Sequence, residues 1–223
     1  VMRERHGIEV LAIYAYPAQV TFCSRPFTGL ADLAGRRVRF GNPTQADLIR
    51  PFGAVPVQLE FAEVVPNMRN GNIDCAITGA MSGHTIGLHK VATHIHGGAT
   101  NWGLSVFGAN TGAWQALAPA VRAALGTELP KLEKAIWADA EQQTLAGMAC
   151  VTGNGPCSSG EPGQLKDVPA TPTDSKRLSE SFRTSVLPVW VQRCGNACVP
   201  VWNQLLAPAT GIKAETTTPL PKR

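Results

Sequence analysis

Three arginines lie close together in the segment DLAGRRVRFGNP, at positions 36, 37 and 39. A guanidinium is planar and presents parallel N–H donors, so it can bind a carboxylate through two hydrogen bonds at once. If the segment forms a strand, alternation places Val38 on one face and both Arg37 and Arg39 on the other. Spacing alone favours a solvated basic strand end, so a carboxylate site needs support from the rest of the chain.

Further polar and aromatic residues follow the ends of other predicted strands. Ligands of open α/β sheets bind beyond the carboxyl ends of the strands, so side chains at these ends can share one cleft. Phe61 and Trp102 offer apolar walls beside the charge of Arg39. Each residue alone is better explained as core or surface, but the set together predicts a ligand-binding site. Its members are Arg39, Asn42, Phe61, Thr78, Asn101 and Trp102.

Four of the five histidines fall in the segment SGHTIGLHKVATHIH, at positions 84, 89, 94 and 96. They lack the i, i+4 spacing of a helical metal pair, and no H-E-x-x-H motif is present. The chain also has no G-x-S-x-G nucleophile elbow and no Walker or dinucleotide fingerprint. The sequence therefore predicts no metal and no cofactor. A metal-dependent hydrolase built on the histidine cluster remains as an alternative function.

The six cysteines include two local pairs, Cys150 with Cys157 and Cys194 with Cys198. Each pair encloses glycine and asparagine, which suit tight disulfide loops. As an alternative, these four cysteines could bind zinc, but the spacing within each pair differs from the C-x-x-C repeats of zinc ribbons. We therefore predict two disulfides and an oxidising compartment such as the periplasm. Cys23 and Cys75 are left in apolar, strand-like settings.

Composition excludes several classes of protein. Apolar residues make up 44% of the 223 residues, which argues against disorder over most of the chain. The net charge of +4 is too mild to indicate a nucleic-acid partner. No apolar run approaches the roughly 18 residues of a membrane span. The opening VMRERHGIEVLAIYAYP lacks the pattern of a signal peptide, so we expect a soluble chain without its export signal.

Short strand-like and helix-like segments alternate through the first hundred residues. This alternation predicts an α/β fold with parallel sheets. Apolar residues at helical spacing then predict a helical pair or one long broken helix, with Pro119 in a first turn and Pro130 at a restart. The segment 151–174 is rich in Gly, Pro, Ser and Thr and is predicted to be a loop.

The stretch from Phe27 to Ala76 carries four short motifs in a fixed order: DLAGRRVR, GAVPV, FAEV and GNIDC. In this order and spacing they resemble the central signature of the solute-binding proteins of tripartite ATP-independent periplasmic (TRAP) transporters, the C4-dicarboxylate-binding-like family. Members carry D-L-x-G-x-K-x-R, then Gly-Ala-x-Pro-Val, Phe-x-Glu-Val and Gly-x-Asp. The likeness extends more loosely over residues 7–206.

The resemblance implies roles for individual residues. The family's signature arginine, which pairs with the carboxylate of the ligand, matches Arg39, and its phenylalanine beside the ligand matches Phe61. Thr78 occupies a position that is commonly asparagine, and Gln19 falls near a second arginine of many members. Thr78 is a departure from the pattern, and the glutamine at position 19 leaves a second anchor on the carboxylate open. Arg36 and Arg37 are expected to be solvated.

The resemblance also implies a two-lobed fold of the periplasmic-binding-protein type with a long hinge helix, whose first lobe is incomplete here. Residues 1–16 and 105–150 are expected to be the remnant of that lobe with the long helix. Residues 17–104 and 165–210 are expected to form the second, ligand-binding lobe. Residues 151–164 are then a disulfide-stapled loop, and residues 211–223 a flexible tail.

The implied function is a non-enzymatic periplasmic receptor that delivers a small organic acid to the membrane subunits of a TRAP transporter. It needs no cofactor and no nucleic acid, and the full-length protein is expected to be a monomer. The effector-binding domain of a transcriptional regulator is an alternative because it can share the two-lobed fold. The paired cysteines and the lack of a helix-turn-helix argue against it.

Overall fold

Two β-sheets of different size organise the computed structural model, which describes residues 2–218. The strands are β1 (Ile8–Ala15), β2 (Gln19–Cys23), β3 (Arg37–Phe40), β4 (Val55–Gln58), β5 (Cys75–Gly79), β6 (His94–Asn101), β7 (Leu104–Asn110) and β8 (Lys166–Val168). The helices are α1 (Met2–His6), α2 (Pro43–Ile49), α3 (Val64–Arg69), α4 (Ala80–Thr85), α5 (Thr111–Ala116), α6 (Pro119–Thr152), α7 (Pro172–Ser181), α8 (Leu187–Cys194), α9 (Cys198–Leu205) and α10 (Ala207–Thr210).

The larger sheet has six strands in the order β4-β3-β5-β2-β6-β8. Strand β3 is parallel to β4 and β5, and β6 is parallel to β8. Strand β2 is antiparallel to both of its neighbours, β5 and β6. The prediction of a parallel sheet is therefore wrong for β2. The cause is the route of the chain: β2 enters at the edge where β3, β5 and β6 end.

Apolar side chains cover both faces of this sheet. On one face Val20 and Phe22 pack with α3 and α4, and on the other Val38 and Ile77 pack with Leu33. The alternation of side chains along each strand produces the two clusters, because neighbouring residues point to opposite faces. The sheet is thus a doubly covered layer of the kind typical of α/β proteins.

The smaller sheet pairs β1 with β7 in antiparallel register. Helix α6 is 34 residues long, about 50 Å at 1.5 Å per residue, and part of it packs against β1. It passes through Pro130 without ending, so the predicted restart at this proline is wrong. Pro119 occupies its first turn as predicted. Ile13 anchors the strand to the helix, because its backbone N–H donates to Glu133 Oε2 at 2.6 Å and its carbonyl accepts from Trp137 Nε1 at 2.8 Å.

Disulfides link Cys150 to Cys157 and Cys194 to Cys198, as the sequence predicted. A third disulfide joins Cys23 on β2 to Cys75 on β5, two residues that sequence analysis left unpaired. They lie 52 positions apart in the chain but directly opposite each other in the strand register, with Cα atoms 4.1 Å apart. This disulfide follows from the register of β2 against β5, which the spacing of cysteines along the sequence cannot predict.

Residues 212–217 are held against the helices that precede them. Asn203 binds both the N–H and the carbonyl of Ala214, and Asn196 does the same for Thr217. Ala214 is buried against α8 and α9. The tail prediction is therefore not supported over residues 212–217, and its last five positions, 219–223, lie outside the described residues.

Candidate ligand-binding cavity

A cavity of about 450 Å³ opens where β3, β5 and β6 end and β2 begins. Six of the seven sequence-predicted ligand residues line it: Gln19, Arg39, Asn42, Phe61, Thr78 and Asn101. They come from five separate segments of the chain. The topology of the larger sheet brings these segments to one edge, because Gln19 at the start of β2 pairs with Gly79 at the end of β5 and with Asn101 at the end of β6.

Arg39 is the charged group of the cavity. Its side chain is buried, with Nε donating to the carbonyl of Leu59 at 3.1 Å and Nη1 to that of Ile77 at 3.3 Å. Within residues 2–218, no carboxylate forms an ion pair with it and Nη2 donates to no protein acceptor. Burial lowers the pKa of the Arg39 guanidinium, and the nearby charge of Glu60 opposes that shift. An arginine remains charged under such conditions, so the cavity presents a positive group to its occupant.

Phe61 lies beside this guanidinium. The Cζ atom of Arg39 is 5.9 Å from the centroid of the Phe61 ring, within the range of a cation–π contact. Phe61 is the first residue of a short 3₁₀ turn, Phe61–Glu63, that follows β4 and leads into α3. Phe61 is partly exposed and lines the cavity, so it offers an apolar face next to the positive charge.

A chain of amide hydrogen bonds forms another wall. Asn42 caps α2 by accepting from the N–H of Gln45 at 3.1 Å. The Gln45 side chain accepts from the N–H of Gly41 at 2.7 Å and donates to Asn101 Oδ1 at 3.0 Å. The ends of β3 and β6 are therefore bridged by one buried glutamine. Networks of this kind hold their members in fixed orientations.

Sequence analysis missed Gln45, Ser82, Tyr16 and Leu104, which also line the cavity. A local signal existed for Gln45: it stands three residues after Asn42, the N-cap, where helix-capping motifs place Glu or Gln. Nothing in the sequence distinguishes Ser82. It reaches the cavity because α4 starts directly at the end of β5, and its hydroxyl lies 3.4 Å from the position a Cβ would take on Gly79.

Trp102 is the predicted site residue that the structure does not bring to the cavity. Its side chain is 62% exposed, and its neighbours Asn101 and Gly103 line the cavity instead. It lies between the end of β6 and the start of β7, where the chain leaves the larger sheet.

Arg36 and Arg37 point away from the cavity. Arg37 forms an ion pair with Asp74, from Nε to Oδ2 at 3.0 Å, at the start of β3. Arg36 donates to the carbonyls of Arg25 and Pro26 and lies over the ring of Phe27. The position that faces the cavity is therefore the last arginine of the motif.

The four clustered histidines do not meet at one site. His84 and His89 stack with their ring centroids 4.3 Å apart, whereas His94 and His96 lie on β6 and both contact the ring of Phe27. The structure instead brings His84 next to the disulfide of Cys150 and Cys157. Sequence spacing gave no indication of this neighbourhood, because the groups are more than sixty residues apart.

Comparison with known proteins places the chain in one class, the extracellular solute-binding proteins of bacteria. Residues 2–149 match the family described as bacterial extracellular solute-binding protein, family 7. This match covers more than half of the 223 residues, so the chain belongs to that family.

Individual relatives agree with this assignment. The ectoine-binding periplasmic protein of Halomonas elongata is 26% identical over 113 residues, which is 50% of this chain and 33% of that protein. Among solved structures, a Bordetella pertussis extracytoplasmic solute receptor that binds pyroglutamic acid has a TM-score of 0.74 at 24% identity. The match covers 86% of this chain and 60% of that receptor.

A TRAP periplasmic solute-binding protein from Desulfovibrio salexigens, with bound orotic acid, has a TM-score of 0.77 at 14% identity. The match covers 91% of this chain and 63% of that protein. These structural likenesses show a shared fold with a mixed sheet and a long helix. The chain spans less than two thirds of the length of either solved relative. No helix within residues 2–218 combines the length and apolar character needed to cross a membrane.

Proposed function

We propose that this chain forms the ligand-binding part of a periplasmic receptor that captures a small organic carboxylate for a TRAP-type transporter. The observation that carries the proposal is the state of Arg39. Its guanidinium is buried at the cavity, is held by two backbone carbonyls and has no carboxylate partner within residues 2–218. A buried charge is normally paired with an opposite charge, so a ligand carboxylate is the group that would pair with Arg39.

The other lining groups favour a ligand with one carboxylate and a neutral polar part. Gln19, Asn42 and Asn101 are amides, Thr78 and Ser82 are hydroxyls, and Arg39 is the one cationic side chain among the lining residues. By the resemblance described above, Gln19 falls near the position of a second arginine in many family members. The pyroglutamic acid and orotic acid of the two relatives described above are carboxylic acids, which supports this class of ligand.

The proposed architecture has two lobes. Residues 17–104 and 165–210 would form the ligand-binding lobe, residues 151–164 its stapled loop, and residues 1–16 and 105–150 would belong to the other lobe. The exposed apolar residues of β1 and β7 support this division, because further strands would cover them. The solved relatives are longer than this chain, and we propose that their additional part corresponds to the opposite wall of the cavity.

The remaining parts of the proposal follow from the site and the cysteines. Three disulfides suit an oxidising compartment such as the periplasm. The lining side chains offer one arginine and several neutral groups, which suits binding rather than acid–base catalysis. The partners would be the membrane subunits of the transporter, with no nucleic acid involved, and the full-length receptor would act as a monomer. The hydrolase and the regulator domain have no comparable observation in their favour.

Two steps test the ligand class. A thermal-shift screen compares monocarboxylates with dicarboxylates of similar size, because a ligand that binds the native state raises its melting temperature. The screen uses the 223-residue chain and, in parallel, a receptor extended to the length of its solved relatives. A response from the extended receptor alone supports the two-lobed proposal. No response to any carboxylate from either protein contradicts the proposed function.

The hit from that screen then tests Arg39. Arg39→Ala leaves the carboxylate desolvated without its partner, a loss on the order of 2 to 5 kcal/mol, so affinity should fall at least tenfold. Arg39→Lys should recover only part of the loss, because an ammonium group lacks the planar fork. Arg36→Ala is the matched control outside the cavity. Calorimetry that gives equal affinities for Arg39→Ala and Arg36→Ala would show that another residue holds the carboxylate.

A further inference from the structure

Three potential metal ligands converge at the carboxyl end of α6, and none of them lines the cavity. Cys150 is fully buried in the last turn of α6, Cys157 follows in the loop, and His84 is buried on α4. The ligand atoms of these residues all lie within 4.8 Å of one another. No other group of three His, Cys, Asp or Glu residues between positions 2 and 218 comes this close.

The packing of the two helices fixes this arrangement. Helices α4 and α6 touch at Gly147, where a Cβ would lie 2.3 Å from the backbone N of Met81 and cannot be accommodated. Cys150 stands one turn after Gly147, and His84 stands three residues after Met81. The close contact therefore holds the imidazole against the disulfide, and stacking with His89 orients the imidazole ring.

One ligand separation already matches that of a tetrahedral soft-metal site, whereas the two sulfur atoms, bonded to each other in the disulfide, have to move apart after reduction. His84 Nε2 is 3.7 Å from Cys157 Sγ. Bond lengths of about 2.3 Å to sulfur and about 2.0 Å to nitrogen place two tetrahedral ligand atoms roughly 3.5 Å apart. Ser159 Oγ lies 3.1 Å from His84 Nδ1, the ring nitrogen that would not bind the metal, so the fourth ligand position of such a site is left to a water molecule.

We propose that Cys150, Cys157 and His84 form a redox-gated site for a soft cation such as Zn²⁺, closed in the disulfide form and open after reduction. A cysteine binds metals as its thiolate. In the oxidised protein the two sulfur atoms are bonded to each other, so neither is a thiolate. A dithiol reductant supplies two electrons and two protons and itself becomes a disulfide. The Cys150–Cys157 bond breaks to give two thiols, and zinc binding then releases their two protons.

His84 has the hydrogen bonds that such a ligand needs. In the oxidised form Nε2 donates to the carbonyl of Glu161 at 2.8 Å, and Nδ1 accepts from Ser159 Oγ at 3.1 Å. When Nε2 binds the metal, its proton is lost and Nδ1 carries the ring proton, which it donates to the same serine. A hydrogen bond of this type orients a metal-bound imidazole. Glu161 is an exposed loop residue, so its carbonyl can turn to solvent.

The second local disulfide provides an internal control. Cys194 and Cys198 are also close in sequence, but no third ligand joins them in the part of the chain that the structure describes. A reduced pair alone offers two ligands, fewer than zinc takes from structural or catalytic sites. The two pairs should therefore differ in metal binding after the same treatment.

The test is a zinc titration of the 223-residue chain, oxidised and reduced, in competition with a chromophoric chelator. The reduced chain should bind one zinc ion and the oxidised chain none at this site. His84→Gln should weaken zinc binding at least tenfold, and Cys157→Ser should abolish it. The Cys194→Ser/Cys198→Ser protein should bind as the wild type does. Equal zinc affinity in the reduced wild type and in His84→Gln would overturn the proposal, and so would no zinc binding by a folded, reduced chain.

Reduction also opens the other disulfides, so circular dichroism must show that the reduced chain remains folded. If the reduced chain unfolds, the variant Cys157→His tests the zinc site without a reductant. In this variant the Cys150 thiol lies beside two imidazoles, that of His84 and that of the new side chain. Zinc binding by this variant, with thiolate-to-metal charge-transfer absorption when Co²⁺ replaces zinc, supports the site. Absence of both overturns it. Cys198→His is the control, since it creates only two ligands.

Discussion

The two sheets differ in how completely the chain covers them. In the larger sheet Phe22 and Val38 have no solvent exposure, and both faces are packed. In the smaller sheet Ile13 and Val106 are each 45% exposed, although β1 and β7 pair along their full length. Strands are paired in both sheets, whereas apolar burial differs between them. The difference indicates that the larger sheet, which carries the cavity floor, supplies most of the stability.

The largest expected effect comes from the packed sheet. Phe22→Ala removes a fully buried ring that lies against Gly83, and should lower the free energy of unfolding by about 3 to 5 kcal/mol. Val106→Ala, in the smaller sheet, should cost less than about 1 kcal/mol because the side chain is already exposed. Urea unfolding of both variants measures the contrast. Equal losses would mean that the two sheets contribute alike.

The disulfide within the larger sheet should matter more than the one near the end of the chain. The chain-entropy model assigns about 4 kcal/mol to closing the loop between Cys23 and Cys75 and about 2 kcal/mol to closing that between Cys194 and Cys198. Cys23→Ala/Cys75→Ala should therefore lower the thermal midpoint further than Cys194→Ala/Cys198→Ala. Scanning calorimetry of the two variants gives the order directly, and a reversed order would contradict the model.

The smallest effect concerns charge. Hydrogen bonds from Arg37 lower the pKa of Asp74 despite the opposing effect of burial, and the charge of Arg25 adds to the shift. A carboxylate with a depressed folded-state pKa stabilises the protein above its unfolded pKa of about 3.9. That stability is lost as the pH falls through the folded-state value. Asp74→Asn should cost about 1.5 to 3 kcal/mol near neutral pH and progressively less in acid.

The matched control for Asp74→Asn is Glu128→Gln on α6. Glu128 and Lys131 form an exposed ion pair, which should contribute less than about 1 kcal/mol. Free energies of unfolding measured across the acid range compare the two variants. A gap between Asp74→Asn and wild type that stays constant down to low pH would exclude the ionised carboxylate as its cause.

The sequence predicted what depends on local order along the chain. The spacing of the signature motif selected Arg39 and Phe61 for the site, the two cysteine loops indicated their own disulfides, and Pro119 marked the start of α6. The fold class and the family follow from the same motifs. These features need only residues that are close in sequence, or a pattern shared with known proteins.

The sequence did not predict what depends on strand register. The Cys23–Cys75 disulfide, the antiparallel direction of β2 and the bridge from Gln45 to Asn101 all join segments that approach each other only after the larger sheet has formed. The meeting of His84 with Cys157 is of the same kind, since it follows from the contact of α4 with α6. Trp102 shows the converse: a residue beside the site in sequence can still face solvent.

One backbone hydrogen bond links the shape of the cavity to the arrangement of the sheets. The N–H of Tyr16, between β1 and β2, donates to the carbonyl of Gly103, between β6 and β7, at 2.8 Å. Both residues line the cavity, and both lie where the chain crosses from one sheet to the other. A rotation of one sheet against the other would therefore twist the two connecting segments at Tyr16 and Gly103. The shape of the cavity, which both residues line, would change at the same time. A ligand that fits one orientation better shifts the balance between orientations by its difference in affinity, and by no more.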